Sequence, residues 1–268
     1  MTTLLQGIGT LIFCDETKFY IDNGDLEDAI YYFGISTPRQ QVHLVDKQFK
    51  QLLTKHNIQS DIFHATRIFR EKRPRIAFMN DICKVITENR LHCFCYKYTK
   101  IDLFEPTKLL SKFNNDILKF DKLEFQALFY FLTILNTYIR DGVPDLLRPE
   151  IALYFDRNVY GVEDIDAFKF ANEYFIFKQM TFTEKSKISL LCLPDFFGYI
   201  FRKSKLSQNK VQSGDNSLEV SSLTINAYKC LADINAAKLF HFIDVEIRII
   251  EKALLAISEL NYSQQKHL

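Results

Sequence analysis

Residues 151–158 read IALYFDRN, five apolar side chains in succession closed by Asp156. A strand that alternates apolar and polar residues covers a core on one face, whereas a strand apolar at every position is buried on both. Such a strand belongs at the centre of a parallel or mixed sheet with helices over each face, so this run predicts an α/β fold. The chain has the material for it: 268 residues, 47% hydrophobic and 25% charged, describe one large globular domain or two small ones.

The neighbouring segments supply the rest of such a fold. TLIFC (10–14) and DAIYYFGIS (28–36) are β-branched and aromatic runs separated by the turn-forming DNGD (22–25), which predicts an antiparallel pair with acidic residues at the strand ends. A helix is expected next, with Thr37 as N-cap, Pro38 in the first turn, Gln40 three residues after the cap, and Val42, Val45, Phe49, Leu52 and Leu53 at helical spacing. A second helix from Pro74 carries Phe78, Ile82, Val85 and Ile86 on one stripe. It leads into the alternating LHCFCYKY (91–98), an order that suggests a crossover. Residues 121–140 place Phe125, Leu128, Phe129, Leu132, Leu135 and Ile139 on a wide apolar face, and DGVPD ends that helix.

YFIFKQMTF (174–182) predicts a further strand, and LPDFFGYIFRK (193–203) a helix with Pro194 in its first turn. The polar stretch SKLSQNKVQSGDNSLEVSS (204–222) has the composition of a flexible linker. Beyond it Leu231, Ile234, Phe242, Ile243, Ile247, Ile250, Leu254 and Ile257 recur at threes and fours, which predicts a helical tail over 223–262. The expected division is a sheet-and-helix domain over 1–205, a linker or loop over 206–222, and a helical segment over 223–268 packed on the core, a second copy or a partner protein.

Several function classes are disfavoured. A net charge of +1 gives no global field for polyanions, so any such site must be a local patch. No apolar run approaches the roughly 18 residues of a membrane span, and MTTLLQGIGTLIF lacks the charged start of a targeting signal. Six cysteines, at 14, 83, 93, 95, 192 and 230, sit mostly in apolar segments without a disulfide pattern, which points to a reducing cytosol. Cys93 and Cys95 beside His92 lack the second ligand pair of a structural zinc site. GIG (7–9) lacks the grammar of a dinucleotide loop.

What remains is acidic. Asp15 and Glu16 close the first strand, Asp156 the central one, and Asp195 lies in the first turn of the helix at 194. Carboxylates gathered at one place repel, and hard divalent cations such as magnesium or manganese relieve the repulsion. Two such ions about 3.5 to 4 Å apart support phosphodiester hydrolysis. An aspartate after a strand is also the ordinary turn or capping residue, and periodicity alone favours that reading.

The ordered set FCDET, YYFGIS, FHATRIF, LYFDRN and LLCLPDFFGYIFR resembles the domain-of-unknown-function 3800 family, over roughly residues 10–203. That resemblance implies a ribonuclease H-like fold for 1–205 and a metal-dependent nuclease using Mg2+ or Mn2+. By the same resemblance Asp15, Asp156 and Asp195 bind metal, Glu16 supports them, and His64 of FHAT accompanies them; an imidazole there can donate to a phosphate or act as an acid, and is equally the place of a hydrogen-bonded structural histidine. Ile62 and Arg67 stand where the family often has acidic residues, with Asp61 as the nearby substitute. The alternative is therefore a ribonuclease H-like interaction subunit of a mobile-element or phage-defence system, weak or inactive in catalysis. RIFREKRPR (67–75) sets Arg67, Arg70, Lys72, Arg73 and Arg75 against one glutamate, with Phe69 among them, a candidate nucleic-acid contact directly after His64. Arg202, on one helical stripe with Asp195 and Tyr199, is a further candidate for holding a phosphate. Each basic residue is equally the ordinary occupant of a solvated face.

Overall fold

The structure is a computed structural model that describes residues 9–20, 26–70, 72–99, 123–142, 150–160, 165–169, 176–212 and 221–243. Among the described residues seven strands form one mixed sheet: β1 (Thr10–Tyr20), β2 (Leu26–Pro38), β3 (Cys93–Thr99), β4 (Ile151–Asp156), β5 (Ile165–Lys169), β6 (Phe177–Thr183) and β7 (Phe240–Ile243). Their order is β5-β6-β4-β1-β2-β3-β7. β1, β2 and β3 pair antiparallel, while β4 runs parallel to both β1 and β6. The expected α/β class holds, and all six residues of β4 are buried between its two parallel neighbours.

Alternation along the strands sorts the core. Leu11 and Phe13 of β1, Tyr31, Phe33 and Ile35 of β2, and Ala152 and Tyr154 of β4 face one main core. It is completed by α1 (Arg39–Lys55), α3 (Ile76–Glu88), α6 (Cys192–Gln212) and α7 (Ser222–Ala236), with the short α2 (Ala65–Ile68) beneath. α6 lies close against the sheet: a Cβ on Gly198 would stand 2.9 Å from ring carbons of Phe33. The opposite face carries α4 (Leu123–Gly142), where Phe131 stacks on Tyr32 at 4.9 Å between ring centroids, and the single turn α5 (Arg157–Tyr160) follows β4 in the chain. Leu128, Leu132, Leu135 and Ile139 are buried as expected, but so are Tyr130, Phe131 and Ile134, so α4 is apolar around most of its girth. The side chains of Phe125 and Phe129 lie outside the described residues.

The local grammar differs from expectation at several points. β2 stays paired as far as Pro38, opposite Thr10, so Thr37 remains in the ladder and Pro38 takes the N-cap position of α1. The Thr37 hydroxyl is buried without a hydrogen-bond partner among the described residues. Arg75 adopts a left-handed conformation, φ 45°, which starts α3 at Ile76 and not at Pro74. β3 returns antiparallel to β2, so the helices between them make an excursion from one end of the sheet and no crossover.

β1 extends to Tyr20, which puts Asp15 and Glu16 inside the strand and not at its end; the DNGD turn lies outside the described residues. Glycine is required just before this strand. Gly9 has φ 140°, and a Cβ there would meet the Glu150 carbonyl oxygen at 2.1 Å.

Two corrections concern the C-terminal third. Residues 204–212 continue α6, because no glycine or proline interrupts the helix before Gly214, so the flexible linker expected over 206–222 is helical through 212. Residues 213–220 lie outside the described residues, and Ser221 caps α7 by accepting from the Thr224 N–H at 3.2 Å. The tail is not one continuous helix. α7 ends at Ala236, Lys238 turns through φ 58°, and Phe240–Ile243 pairs with β3 as a parallel edge strand. The exposed ladder of β3 outweighs the helical spacing of four residues. Ile247, Ile250, Leu254 and Ile257 lie outside the described residues.

Candidate functional site

Pairing between β1 and β4 ends at Cys14 opposite Phe155, so Asp15 and Asp156 are the next residues on each strand at the carboxyl end of two parallel neighbours. Both fall on the face covered by α6, whose first turn holds Asp195. The open end of parallel strands is where α/β sheets present functional groups. The three aspartates meet there around a residue absent from the sequence expectations, Lys185. Its ammonium lies 3.2 Å from Asp195 Oδ2, 3.6 Å from Asp15 Oδ2 and 3.8 Å from Asp156 Oδ2. Asp156 and Lys185 are only 8% and 7% exposed.

Each aspartate is also held by amide donors. Asp15 Oδ1 accepts the Glu16 N–H at 3.0 Å, and Asp156 Oδ1 accepts the Asn158 N–H at 3.1 Å and its side-chain amide at 3.0 Å. Asp195 Oδ2 accepts the Ala65 N–H at 3.3 Å. For Asp15 and Asp156 one oxygen is fixed by these bonds while the other faces the ammonium. Burial above all pushes the Asp15 carboxyl up to about 8; the Lys185 ammonium opposes this, and Asp195, Asp156 and Glu16 add to it. Burial works to lower the Lys185 ammonium, yet Asp15 and Asp195 hold it above its ordinary range. The cluster thus carries more negative charge than one ammonium offsets.

The remaining sequence candidates divide. His64 stands at the rim, with Nδ1 3.8 Å from Asp195 Oδ2 and its side chain 59% exposed. Glu16 follows strand alternation to the opposite face of the sheet. There its carboxylate accepts from Tyr32 at 2.8 Å, and Tyr160 donates to the Tyr32 hydroxyl at 3.4 Å. Arg202 lies two helical turns beyond Asp195, about 10 Å along the axis. Its Nε is buried without a hydrogen-bond partner among the described residues. Ile62 and Asp61 are exposed.

The start of the basic segment adjoins the carboxylates. The Ala65 N–H bond to Asp195 and a 3.0 Å bond from the Tyr199 hydroxyl to the Phe69 carbonyl tie its start to α6. Phe69 is 2% exposed and stacks on Phe78, so it serves the core and offers no surface for a base. Arg67, Arg70, Lys72 and Arg73 are exposed. Arg70 donates to the Arg67 carbonyl at 2.8 Å and Arg75 to the His56 carbonyl at 3.2 Å. Arg73 and Arg75, with His56, Asn57, Ala77 and Phe78, line a cavity of about 350 Å³ at the start of α3.

Cys93 and Cys95 point into the main core, and all six cysteines are free and buried. His92 pairs instead with His241 of β7 at 2.9 Å, and His241 with the Tyr138 hydroxyl at 3.0 Å.

The donor chemistry of three carboxylates fits a hard divalent ion. Their present disposition is around an ammonium, and among the described residues no group of three or more His, Cys, Asp and Glu side chains is spaced as the ligands of one ion. Lys185 was legible only through pairing. Thr183 of β6 lies opposite Asp156 of β4, so the residues just after β6 emerge beside Asp156. No helix among the described residues is long and apolar enough to cross a membrane. Compared with known proteins, the chain matches no family model, no curated protein and no solved structure.

Proposed function

We propose that the protein is a divalent-metal-dependent phosphodiesterase acting on nucleic acid, built on a ribonuclease H-like sheet. The observation that carries this reading is the convergence of Asp15, Asp156 and Asp195, from three distant elements, on one buried point at the carboxyl end of parallel strands. The sheet order supports it: three antiparallel strands, then two strands parallel to the first, with a late helix bringing the last carboxylate.

Asp15, Asp156 and Asp195 would hold Mg2+ or Mn2+, which supplies an activated water and charge stabilisation at the leaving oxygen. The chain's own groups do the rest. His64, beside Asp195 and open to solvent, holds or delivers a proton at the leaving group. Arg67, Arg70, Arg73 and Arg75 supply backbone phosphate contacts that begin at the site's rim.

One observation favours a second reading. The Lys185 ammonium sits among the three carboxylates and offsets part of their charge without metal, and Ile62 and Arg67 stand where the family that the chain resembles often has acidic residues. That reading is a non-catalytic interaction subunit, in the setting of mobile elements or phage defence that the resemblance implies.

The test is cleavage of labelled single-stranded DNA, duplex DNA, RNA and RNA–DNA hybrid by wild type and Asp156→Asn, with Mg2+, Mn2+ or chelator. Metal-dependent cleavage by wild type, lost in Asp156→Asn, is the expected result. Cleavage of none of the four, with the metals present, leaves the interaction subunit.

A further inference from the structure

Lys185 emerges two residues past the end of β6 and extends its ammonium among Asp15, Asp156 and Asp195, 7% exposed. An ammonium carries three N–H donors, and here three carboxylate oxygens surround it within 3.8 Å. Three carboxylates buried without a cation would be strongly unfavourable, and so would a buried ammonium without an anion; each makes the other tolerable. The oxygens facing the ammonium are the ones a divalent ion would need. Asp15 Oδ1 and Asp156 Oδ1 are already engaged by amide donors. Magnesium requires oxygens at about 2.0 to 2.1 Å, so it cannot share that position with a protonated amine.

We infer that Lys185 is a tethered resident cation, which holds the three aspartates when no divalent ion is bound and competes with the ion for them. This rests on the metal-dependent reading of the site given above. It follows that the carboxylates stay assembled without metal, and that the ion enters only after displacing the lysine.

The experiment is Mn2+ titration followed by electron paramagnetic resonance, on wild type, Lys185→Met and Lys185→Gln stripped of metal. Methionine keeps the length of the stem, and glutamine keeps a donor without the charge. Both variants should bind Mn2+ at least ten-fold more tightly than wild type. In chelator both should melt below wild type, and Mn2+ should raise their melting temperatures by more than it raises that of wild type. If wild type binds Mn2+ and the variants bind equally or more weakly, the competition is overturned while the nuclease reading stands. If none of the three proteins binds Mn2+, both are overturned. A variant that unfolds in chelator is titrated through the Mn2+ dependence of its melting. Failure of both variants to fold at any Mn2+ concentration also overturns the inference, because the ion would then be unable to replace the ammonium.

Discussion

The carboxylate cluster around Lys185 and the basic segment from Arg67 to Arg75 are built on opposite plans. The first draws Asp15, Asp156, Lys185 and Asp195 from β1, β4, the loop after β6 and α6, and buries them together. The second sets five basic residues side by side in the chain, and the fold spreads most of them into solvent. Charge spread into solvent is screened and individually weak. Charge gathered from distant elements and taken out of water is costly unless compensated, and small changes in it are felt strongly. The two plans therefore predict different sensitivities to mutation.

The largest difference should be in stability. Lys185→Met in chelator leaves Asp15, Asp156 and Asp195 without their ammonium partner and should cost about 3 to 5 kcal/mol in denaturant unfolding. Arg73→Ala on the exposed segment should stay within about 0.5 kcal/mol. Equal costs for the two would break the comparison.

The buried cluster also depends on α6 lying tight to the sheet. Gly198→Ala presses a methyl group into the Phe33 ring and should cost about 1 to 3 kcal/mol. Because α6 carries Asp195, the same substitution should lower any metal-dependent cleavage rate. A variant with wild-type stability would mean that α6 shifts freely and that the cluster tolerates its movement.

The basic segment should answer to salt and not to denaturant. Replacing Arg70, Arg73 and Arg75 together by alanine should weaken binding of a nucleic-acid probe. The slope of log affinity against log salt should fall by about one for each phosphate that these arginines neutralise. An unchanged slope removes this segment from the substrate path.

A smaller effect is expected at the far edge of the sheet, where ionisable groups are partly buried in neutral form. Burial, then the neighbouring His92, lowers the His241 imidazole from 6.5 to about 4. A group that binds protons less readily folded than unfolded contributes stability above its unfolded pKa and loses it as pH falls toward the folded one. Stability should therefore decline between about pH 6.5 and 4, and His241→Gln should flatten that part of the pH profile. An identical profile for the variant would remove this pair from the acid response.

The same contrast explains what was legible in the sequence. Asp156 was marked by the unbroken apolar run before it, because burial on both faces leaves a local signature. Asp195 was marked by a proline-started helix. Lys185 had no such mark: one lysine in TFTEKSKIS is ordinary until β6 is known to lie beside β4 in register with Asp156. Glu16 was grouped with Asp15 because they are adjacent, yet alternation sends the two to opposite faces. Thr37 had the spacing of a cap, but pairing of β2 with β1 kept it extended. The helical spacing across 240–243 gave way to the unpaired edge of β3. For Lys185, Thr37 and residues 240–243 a long-range backbone pairing decided what local pattern left open.

The central claim is that Asp15, Asp156 and Asp195 act as one site. Single-turnover cleavage rates of Asp15→Asn, Asp195→Asn and the double variant, at saturating Mn2+, test it most directly. Residues that work as a unit are strongly non-additive. Each single substitution should remove nearly all of the metal-dependent rate, and the double should be no slower than the worse single. Single variants that keep most of the wild-type rate, or losses that multiply in the double, would show that the aspartates do not form one catalytic unit.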